Sequence, residues 1–172
     1  YSEAEPLLVQ ALELRKRLLG ENHPYVATSL NNLGSLYNEQ GRYSEAEPLY
    51  LQALELRKIL LGEGHPDIAQ SLNNLAYLYK SQGRYSEAEP LYLQALKLTK
   101  RLLGEDHPHV ASSLNNLAGL YDSQGRYSEA EPLYLQALEL AERVLGVSHP
   151  NTMTIRQNLA NCLREWAQSI RT

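Results

Sequence analysis

The sequence predicts an all-α solenoid of about eight helices, arranged as antiparallel pairs. Three observations support this prediction. The chain repeats itself with a period of 42 residues, and each period holds two stretches with the apolar spacing of an amphipathic helix. The connections between these stretches are short, which favours antiparallel packing of successive helices. A fixed period of this size is typical of stacked helical repeats.

The copies are close in sequence. Residues 43–84 and 85–126 differ at only nine positions. No linker or change of composition separates the copies, so we expect one elongated domain over 1–172. Its units are 1–42, 43–84, 85–126 and 127–168, and each unit starts with the second helix of a repeat.

The first helix of a repeat is predicted from Pro66 to about Gln82. Proline is tolerated in the first turn, where its missing N–H has no partner to lose. The apolar residues recur at spacings of three and four, as one helix face requires: Ile68, Leu72, Leu75 and Tyr79. Gly83 then supplies the left-handed residue that ends the helix.

The second helix is predicted to start near Ser86. Ser86 and Glu89 have the spacing of a capping box, in which each side chain bonds the other residue's backbone N–H. The same motif accounts for Glu47 in the preceding copy and leaves Glu45 in solvent. The apolar stripe consists of Ala88, Leu91, Tyr92, Ala95 and Leu96, and Gly104 ends the helix.

Composition excludes several classes of function. The net charge is −4 and no basic cluster occurs, whereas nucleic-acid binding needs a basic surface. No segment is apolar for long enough to span a membrane, and no signal peptide is visible. The single cysteine, Cys162, excludes an internal disulfide and is interpreted as a small core residue. We expect a soluble cytoplasmic protein.

No residue pattern predicts chemistry. The four His-Pro histidines lie one per copy, so stacking places them in a row rather than around one ion, and we interpret them as capping or loop-packing residues. No nucleophile, base or phosphate loop has the required spacing. The sequence therefore predicts no enzyme, no metal and no cofactor.

The motif Leu75-Ala76-x-x-Tyr79, Gly83, Tyr85, Ala88, Tyr92, Ala95 resembles the tetratricopeptide repeat (TPR). The 42-residue length, with SLNNLAxLYxxQGRYxEAEPLY and LGxxHPxVA, is similar to the kinesin light chain type, and the near-identity of the copies favours a bacterial array over an animal light chain. A consensus design would look the same. The resemblance covers the whole chain and implies a right-handed superhelix whose first helices line a concave groove for peptides or partner proteins.

The positions that change between copies form one stripe on the first helix. A helical wheel places the core residues on one side and the changing residues opposite, with an Asn-Asn pair in the middle of that stripe that stays constant in the first three copies. An amide offers both a donor and an acceptor, which suits a peptide backbone of any sequence. The alternative is that exposed positions drift, and recent duplication alone would keep the asparagines.

By position, the resemblance implies a set of groove residues, with the constant asparagines holding the main chain of a bound peptide. Tyr77 is the best candidate anchor, and one position alternates in charge among Asn38, Lys80, Asp122 and Arg164. The fourth copy has Gln157 where the first Asn is expected. The predicted groove residues are Thr28, Asn31, Asn32, Ser35, Asn38, Gln70, Asn73, Asn74, Tyr77, Lys80, Ser112, Asn115, Asn116, Gly119, Asp122, Asn158 and Asn161.

The last helix departs from the pattern. Arg156 replaces a core leucine, Met153 an alanine, Trp166 a glutamine and Ala167 the terminating glycine. This predicts either a polar terminal cap or a junction with a neighbouring domain. The exposed terminal helices also predict end-to-end self-association. Position 57 and its equivalents, Thr99 and Ala141, vary without an explanation from the sequence.

The main hypothesis is a non-enzymatic module that binds a peptide or partner protein, with no nucleic acid and no membrane involved. One alternative is a structural spacer or self-stacking scaffold within a larger multidomain signalling protein. Another is a sensor arm of a bacterial signalling protein.

Overall fold

The computed structural model describes residues 4–171, and within that range it contains helices and no strand. The helices are α1 (Ala4–Leu19), α2 (Pro24–Glu39), α3 (Tyr43–Leu61), α4 (Pro66–Ser81), α5 (Tyr85–Leu103), α6 (Pro108–Ser123), α7 (Tyr127–Leu145) and α8 (Pro150–Ser169). Connections of three or four residues join them, and successive helices are antiparallel within α1 to α4 and within α5 to α8. The predicted all-α repeat fold with eight helices is confirmed over the described residues.

The helices group into two compact units. The first contains α1 to α4 and ends at Arg84, and the second contains α5 to α8 and begins at Tyr85. In the first unit α2 packs against α1, α3 and α4, and in the second α6 packs against α5, α7 and α8. The prediction of one continuous domain over 1–172 stays a prediction.

Each first helix begins at a His-Pro pair because the histidine caps it. The imidazole Nδ1 accepts the backbone N–H two residues on, at 3.2 Å in all four copies. These capping histidines are His23, His65, His107 and His149. The capping interpretation of the histidines is confirmed.

Glycines end the first helices as predicted. Gly41, Gly83 and Gly125 follow the last turn with φ between +72° and +73°, a conformation that residues with a Cβ resist. The last helix lacks such a residue and runs to Ser169.

The predicted capping box of the second helix is wrong. Helix α5 begins at Tyr85, so Ser86 lies inside it, and the cap of the equivalent α3, Arg42, makes no side-chain capping bond. Glu89, the expected partner of Ser86, instead accepts a hydrogen bond from the Tyr121 hydroxyl at 2.9 Å. A long-range partner outcompetes the local cap.

Each unit has its own apolar core between its first and second helices. In the first unit Ala27 and Leu30 of α2 pack with Ala53 and Leu56 of α3. In the second unit the equivalent residues of α6 and α7 pack in the same way. Cys162 is fully buried, as expected for a small core residue. Among the described helices, none is long and apolar enough to cross a membrane.

Candidate functional site

The predicted groove residues lie on first helices that are neighbours within each unit. Helix α2 contacts α4, and α6 contacts α8. We call the side of these helices that carries the paired asparagines the amide face. It is formed by Asn31, Asn32, Asn73 and Asn74 in the first unit and by Asn115, Asn116 and Asn158 in the second. Each unit therefore has an amide face of its own, built from two helices.

Hydrogen bonds between side-chain amides link the neighbouring first helices. The Asn74 Nδ2 donates to the Asn31 Oδ1 at 2.8 Å, and the Asn158 Nδ2 donates to the Asn115 Oδ1 at 3.0 Å. Each bond uses one donor and one acceptor, and an amide has two of each. The constant asparagines thus have a structural role that the sequence did not indicate, and they retain some bonding capacity.

The expectation that the whole amide face is exposed is wrong for two residues. Asn31 and Asn38 are each only 7% exposed. The Asn38 Oδ1 is buried and accepts no hydrogen bond from a described residue. A wheel of one helix ignores the neighbouring first helix, which covers part of this side. Asn73, Asn74, Asn115, Asn116 and Asn158 are half-buried, and Asn32 is exposed.

The row of variable residues differs in exposure from copy to copy. Tyr77 on α4 is 54% exposed, whereas Ser35 on α2 is half-buried. Gly119 and Asn161 are half-buried. The structure therefore leaves one large aromatic side chain projecting from the amide face of the first unit.

The position that alternates in charge points partly into the protein. The Asp122 Oδ1 on α6 is buried and has no hydrogen-bond partner among the described residues, and this carboxylate lies close enough to Tyr134 and Cys162 to influence the pKa of both. Burial, reinforced by Asp122, raises the pKa of the Cys162 thiol to about 12 and raises the pKa of Tyr134 as well. At pH 7 this thiol is protonated and unreactive. Asp122 thus belongs to the interior of the second unit at least as much as to its surface.

The remaining predicted residues mostly bond within their own helix. The Thr28 Oγ1 donates to the Pro24 carbonyl at 3.2 Å, Gln70 is exposed and Ser112 is half-buried. On α8 the Gln157 Nε2 donates to the Asn161 Oδ1 at 2.9 Å. The fourth copy therefore presents an amide arrangement different from that of the other three.

The comparison with family models identifies the repeat. A tetratricopeptide repeat model matches residues 1–59, 31–100, 67–141 and 123–169. The chain belongs to the tetratricopeptide repeat family. A search of curated protein sequences found no match.

Solved structures with similar TPR folds include kinesin light chain-like proteins. A putative kinesin light chain with nearly identical TPR-like repeats from Podosopora anserina is 28% identical, with 97% of this chain and 79% of that chain covered and a TM-score of 0.76. BtubC (BKLC) from P. vanneervenii is 26% identical, with coverage of 95% and 66% and a TM-score of 0.79. The Sgt2 TPR domain from Aspergillus fumigatus shares the fold at 20% identity, with coverage of 85% and 82% and a TM-score of 0.60.

These similarities confirm the predicted kinesin light chain-like TPR repeats. The TPR fold is a typical protein-interaction module and generally a non-catalytic scaffold. A fold hosts many functions, so the site decides what this member binds.

One cluster in these TPR repeats was missed by the sequence analysis. The Glu5 carboxylate accepts a hydrogen bond from the Tyr37 hydroxyl at 3.1 Å and pairs with the Arg42 guanidinium at 2.7 Å. That guanidinium lies 4.0 Å from the centroid of the Tyr37 ring. The hydrogen bond from Arg42 lowers the pKa of Glu5. We call this arrangement the Tyr-Glu-Arg cluster.

The Tyr-Glu-Arg cluster recurs in both units. Glu47 pairs with Arg84 at 2.8 Å and accepts from Tyr79 at 3.0 Å. In the second unit Arg126 pairs with Glu89 at 2.9 Å. The last copy lacks the cluster because Leu163 and Gln168 replace its tyrosine and arginine. The available signal was a tyrosine at the edge of the core together with a glutamate and an arginine, all three constant in the first three copies.

A buried pair explains the variable position that the sequence left open. Arg57 on α3 is 4% exposed, and its Nη1 donates to the Ser71 Oγ at 2.7 Å and to the Asp67 carbonyl at 3.1 Å. Its burial lowers the pKa of this guanidinium, which stays protonated at neutral pH. The equivalent pairs are Arg15 with Ser29, Thr99 with Ser113 and Ala141 with Ile155. In the last copy both positions differ, so the smaller Ala141 accompanies the larger Ile155. In the third copy only one position differs, and Thr99 donates to the Ala95 carbonyl of its own helix.

Proposed function

We propose that each unit binds an extended peptide or partner-protein segment across the amide face of its first helices, without chemistry of its own. The observation that carries the proposal is the 54% exposure of Tyr77 beside the amides of the first unit. A large aromatic residue left in solvent gains more from burial in an interface than from its place in the free protein. Tyrosine is also among the residues that most often dominate interface energies.

The amide pairs support a mode of binding that tolerates different ligand sequences. In the Asn115–Asn158 pair, whose members are both half-buried, the Asn115 amide nitrogen and the Asn158 carbonyl are not used by the bond between them. These groups suit the carbonyl and N–H groups of a peptide backbone. Each such hydrogen bond contributes about 0.5–1.5 kcal/mol net, so the variable residues beside them would supply the selectivity.

The proposal of a non-enzymatic function agrees with the state of the single cysteine. Cys162 is fully buried and its pKa is raised to about 12, so it does not act as a nucleophile at neutral pH. A cytoplasmic location, for which a single cysteine is a weak indication, is proposed with it.

A second function is favoured by the same amide pairs. Because Asn31–Asn74 and Asn115–Asn158 join first helices, the constant asparagines serve stacking even without a ligand. This supports a structural spacer or self-stacking scaffold within a larger multidomain signalling protein. End-to-end self-association belongs to this second proposal.

The experiment is peptide selection with the 172-residue chain immobilised as bait. Synthetic versions of the selected peptides should bind wild type and lose roughly thirtyfold in affinity with Tyr77→Ser, as loss of an aromatic anchor worth about 2 kcal/mol implies. Tyr25→Ser is the matched control, since Tyr25 is 60% exposed but lies at the start of α2, away from the asparagines.

Two outcomes would decide against peptide binding at this face. Selected peptides that bind Tyr77→Ser and Asn74→Ala as tightly as wild type would place the contact elsewhere. Failure to select any peptide, together with concentration-dependent sedimentation of the chain, would favour the scaffold.

A further inference from the structure

The four His-Pro caps depend on a nitrogen acceptor that only neutral histidine offers. In each cap the imidazole Nδ1 accepts the backbone N–H two residues on, at 3.2 Å. A neutral imidazole has one donor and one acceptor nitrogen, whereas a protonated imidazole has two donors and no acceptor. Protonation of the histidine therefore breaks the cap. Serine and asparagine, which are common capping residues, keep their acceptor oxygen in mild acid.

The charge of a protonated histidine adds to the cost of losing the cap. The N-terminal end of a helix carries a partial positive charge, which disfavours a cation. Each of the four histidines lies at such an end and is half-buried, so both effects favour the neutral imidazole in the folded protein. The stabilisation is present above the range in which histidine titrates, about pH 5 to 8, and is lost as the pH falls through it.

The second copy places a carboxylate beside its capping histidine. The N–H that His65 accepts belongs to Asp67, and the Asp67 Oδ1 lies 3.9 Å from the His65 Nδ1. Arg57 of α3 donates to the backbone carbonyl of Asp67 at 3.1 Å, so the carboxylate stays available. Glu63 adds a second negative charge two residues before His65. A protonated His65 therefore exchanges its hydrogen bond for an ion pair with Asp67.

The third copy has a second histidine where the second copy has this carboxylate. His109 occupies the place of Asp67, and its ring centroid lies 5.0 Å from that of His107. Protonation of both rings places two like charges side by side, and each charge disfavours the other. In acid His107 thus loses its cap and gains an unfavourable neighbour.

The acidic residues just before His107 already have partners. The Asp106 carboxylate pairs with the guanidinium of Arg143 on α7, and the Glu105 carboxylate lies 3.9 Å from the Lys100 Nζ. These two cations offset the negative charge that the carboxylates present to His107. The start of α6 is therefore less able than the start of α4 to accommodate a protonated histidine.

The first copy has a neutral residue beside its capping histidine. The N–H that His23 accepts belongs to Tyr25, whose ring centroid lies 5.2 Å from that of His23. The Arg15 guanidinium lies 5.8 Å from the centroid of the same tyrosine ring, and Glu21 is exposed two residues before the histidine. These opposite charges place the acid sensitivity of α2 between that of α4 and that of α6.

The fourth copy also lacks a carboxylate at this position. The N–H that His149 accepts belongs to Asn151, and Val147 replaces the glutamate that precedes the histidine by two residues in the other copies. The Glu142 carboxylate of α7 pairs with Arg156 of α8 at 2.7 Å. A protonated His149 therefore has a broken cap and no carboxylate at the adjacent positions of the sequence to pair with.

We propose that the His-Pro caps are a pH-sensitive device whose response differs between copies. In mild acid the first turns of α6 and α8 open, whereas the first turn of α4 stays formed because Asp67 pairs with the protonated His65. The second unit is then the more acid-sensitive of the two. This property rests on the caps and does not depend on peptide binding at the amide face.

Hydrogen–deuterium exchange of the 172-residue chain, followed by mass spectrometry of its fragments, reports on each first turn separately. The comparison is between about pH 7.5 and about pH 5.5, with the rates corrected for the intrinsic effect of pH on exchange. Carboxylates stay ionised over this range. We expect protection at the start of α6 to fall about fivefold in acid, as the loss of a cap implies, and protection at the start of α4 to fall less than about twofold.

Equivalent substitutions in two copies provide the matched test. Asparagine caps a helix with an oxygen that does not titrate, so His107→Asn should remove the acid response of α6, whereas His65→Asn should change that of α4 little. His109→Asp should protect α6, and Asp67→His should make α4 as acid-sensitive as α6 is in the wild type. Helical circular dichroism at the higher pH should match the wild type for all four variants.

Three results would overturn the proposal. An acid response of α6 that survives His107→Asn would assign that response to other groups. Equal responses of α4 and α6 in the wild type would show that Asp67 and His109 do not grade the caps. The absence of any response in α6 would show that its cap is insensitive to pH.

Discussion

Two junctions that occupy equivalent places in the repeat are filled in different ways. Between α3 and α4 the contact is polar, with the buried Arg57 guanidinium donating to Ser71. Between α7 and α8 it is apolar, with Ala141 against Ile155 in the core of the second unit. The same two-helix packing therefore accepts a charged residue beside a serine or a small apolar residue beside an isoleucine.

A second difference between these junctions lies at the C-terminal end of the first helix. Glu47 of α3 is held by Tyr79 and Arg84. The equivalent Glu131 of α7 cannot form these bonds, because Leu163 and Gln168 occupy the positions of the tyrosine and the arginine. The α7–α8 junction instead has an apolar core contact and an exposed ion pair between Arg156 and Glu142 at 2.7 Å. The fourth copy has therefore changed residues that the first three copies keep.

Replacing one residue of the Ala141–Ile155 pair should have the largest effect on the free energy of unfolding. Ala141→Arg would place a guanidinium against Ile155 without the hydroxyl that Arg57 uses. An unpaired buried charge costs about 3–5 kcal/mol, and we expect a loss of that size in the free energy of unfolding from urea denaturation. Adding Ile155→Ser should recover a substantial part of it. Simple additivity of the two losses would show that the positions are not coupled.

Removing the charge from equivalent glutamates should separate the two junctions by a smaller amount. Glu47→Gln weakens two hydrogen bonds to a charged group, which are worth about 1.5–3 kcal/mol each at most, so we expect a loss of about 1–2 kcal/mol in unfolding free energy. Glu131→Gln is the matched control on α7 and should change stability by less than about 0.5 kcal/mol. Equal effects would mean that the Tyr-Glu-Arg cluster contributes nothing to stability.

Lowering the pH should test how much the ion pair between Arg126 and Glu129 contributes to stability. The hydrogen bond from Arg126 lowers the pKa of Glu129 below its usual 4.5. Its contribution is therefore present above about pH 4.5 and is lost as the pH falls through the folded-state pKa. Urea midpoints measured at pH 7 and about pH 3.5 should differ less for Glu129→Gln than for wild type. An unchanged difference would show that Glu129 is not linked to acid unfolding.

The smallest effect concerns the thiol at the α7–α8 junction. Cys162 occupies the place of Leu78 in α4, is fully buried and has its pKa raised to about 12. We expect no labelling by an aromatic disulfide at pH 8 while the protein is folded, and rapid labelling in urea. Labelling in the folded state at the rate of a free thiol would contradict the placement of Cys162 in the core.

Local rules were sufficient to predict most of the fold. The apolar spacing predicted both helices of each repeat, the glycines predicted where they end, and the His-Pro pairs predicted where the first helices start. These features depend on residues within one helix and its caps. The capping box at Ser86 failed because Tyr121 and Arg126 compete for Glu89 from more than 30 residues away.

The candidate site was predictable only in part. A helical wheel placed Tyr77 on an exposed side correctly, but it also placed Asn31 and Asn38 there, since it contains no information about the neighbouring first helix. Likewise, the differences among Arg57, Thr99 and Ala141 can be explained only from the residues on the following helix. Those residues are Ser71, Ser113 and Ile155. Contacts between helices, not propensities within them, decide these positions.

The amide bonds join residues 43 positions apart, one more than the period of the sequence. Within each unit the earlier first helix offers a carbonyl and the later one an amino group, which is a contact between unlike surfaces. Helices α2, α4 and α6 contain both asparagines, whereas α8 has Gln157 in place of the first. A copy inserted by gene duplication brings both halves with it. The array can lengthen or shorten by whole copies during evolution without any compensating substitution at the new boundary.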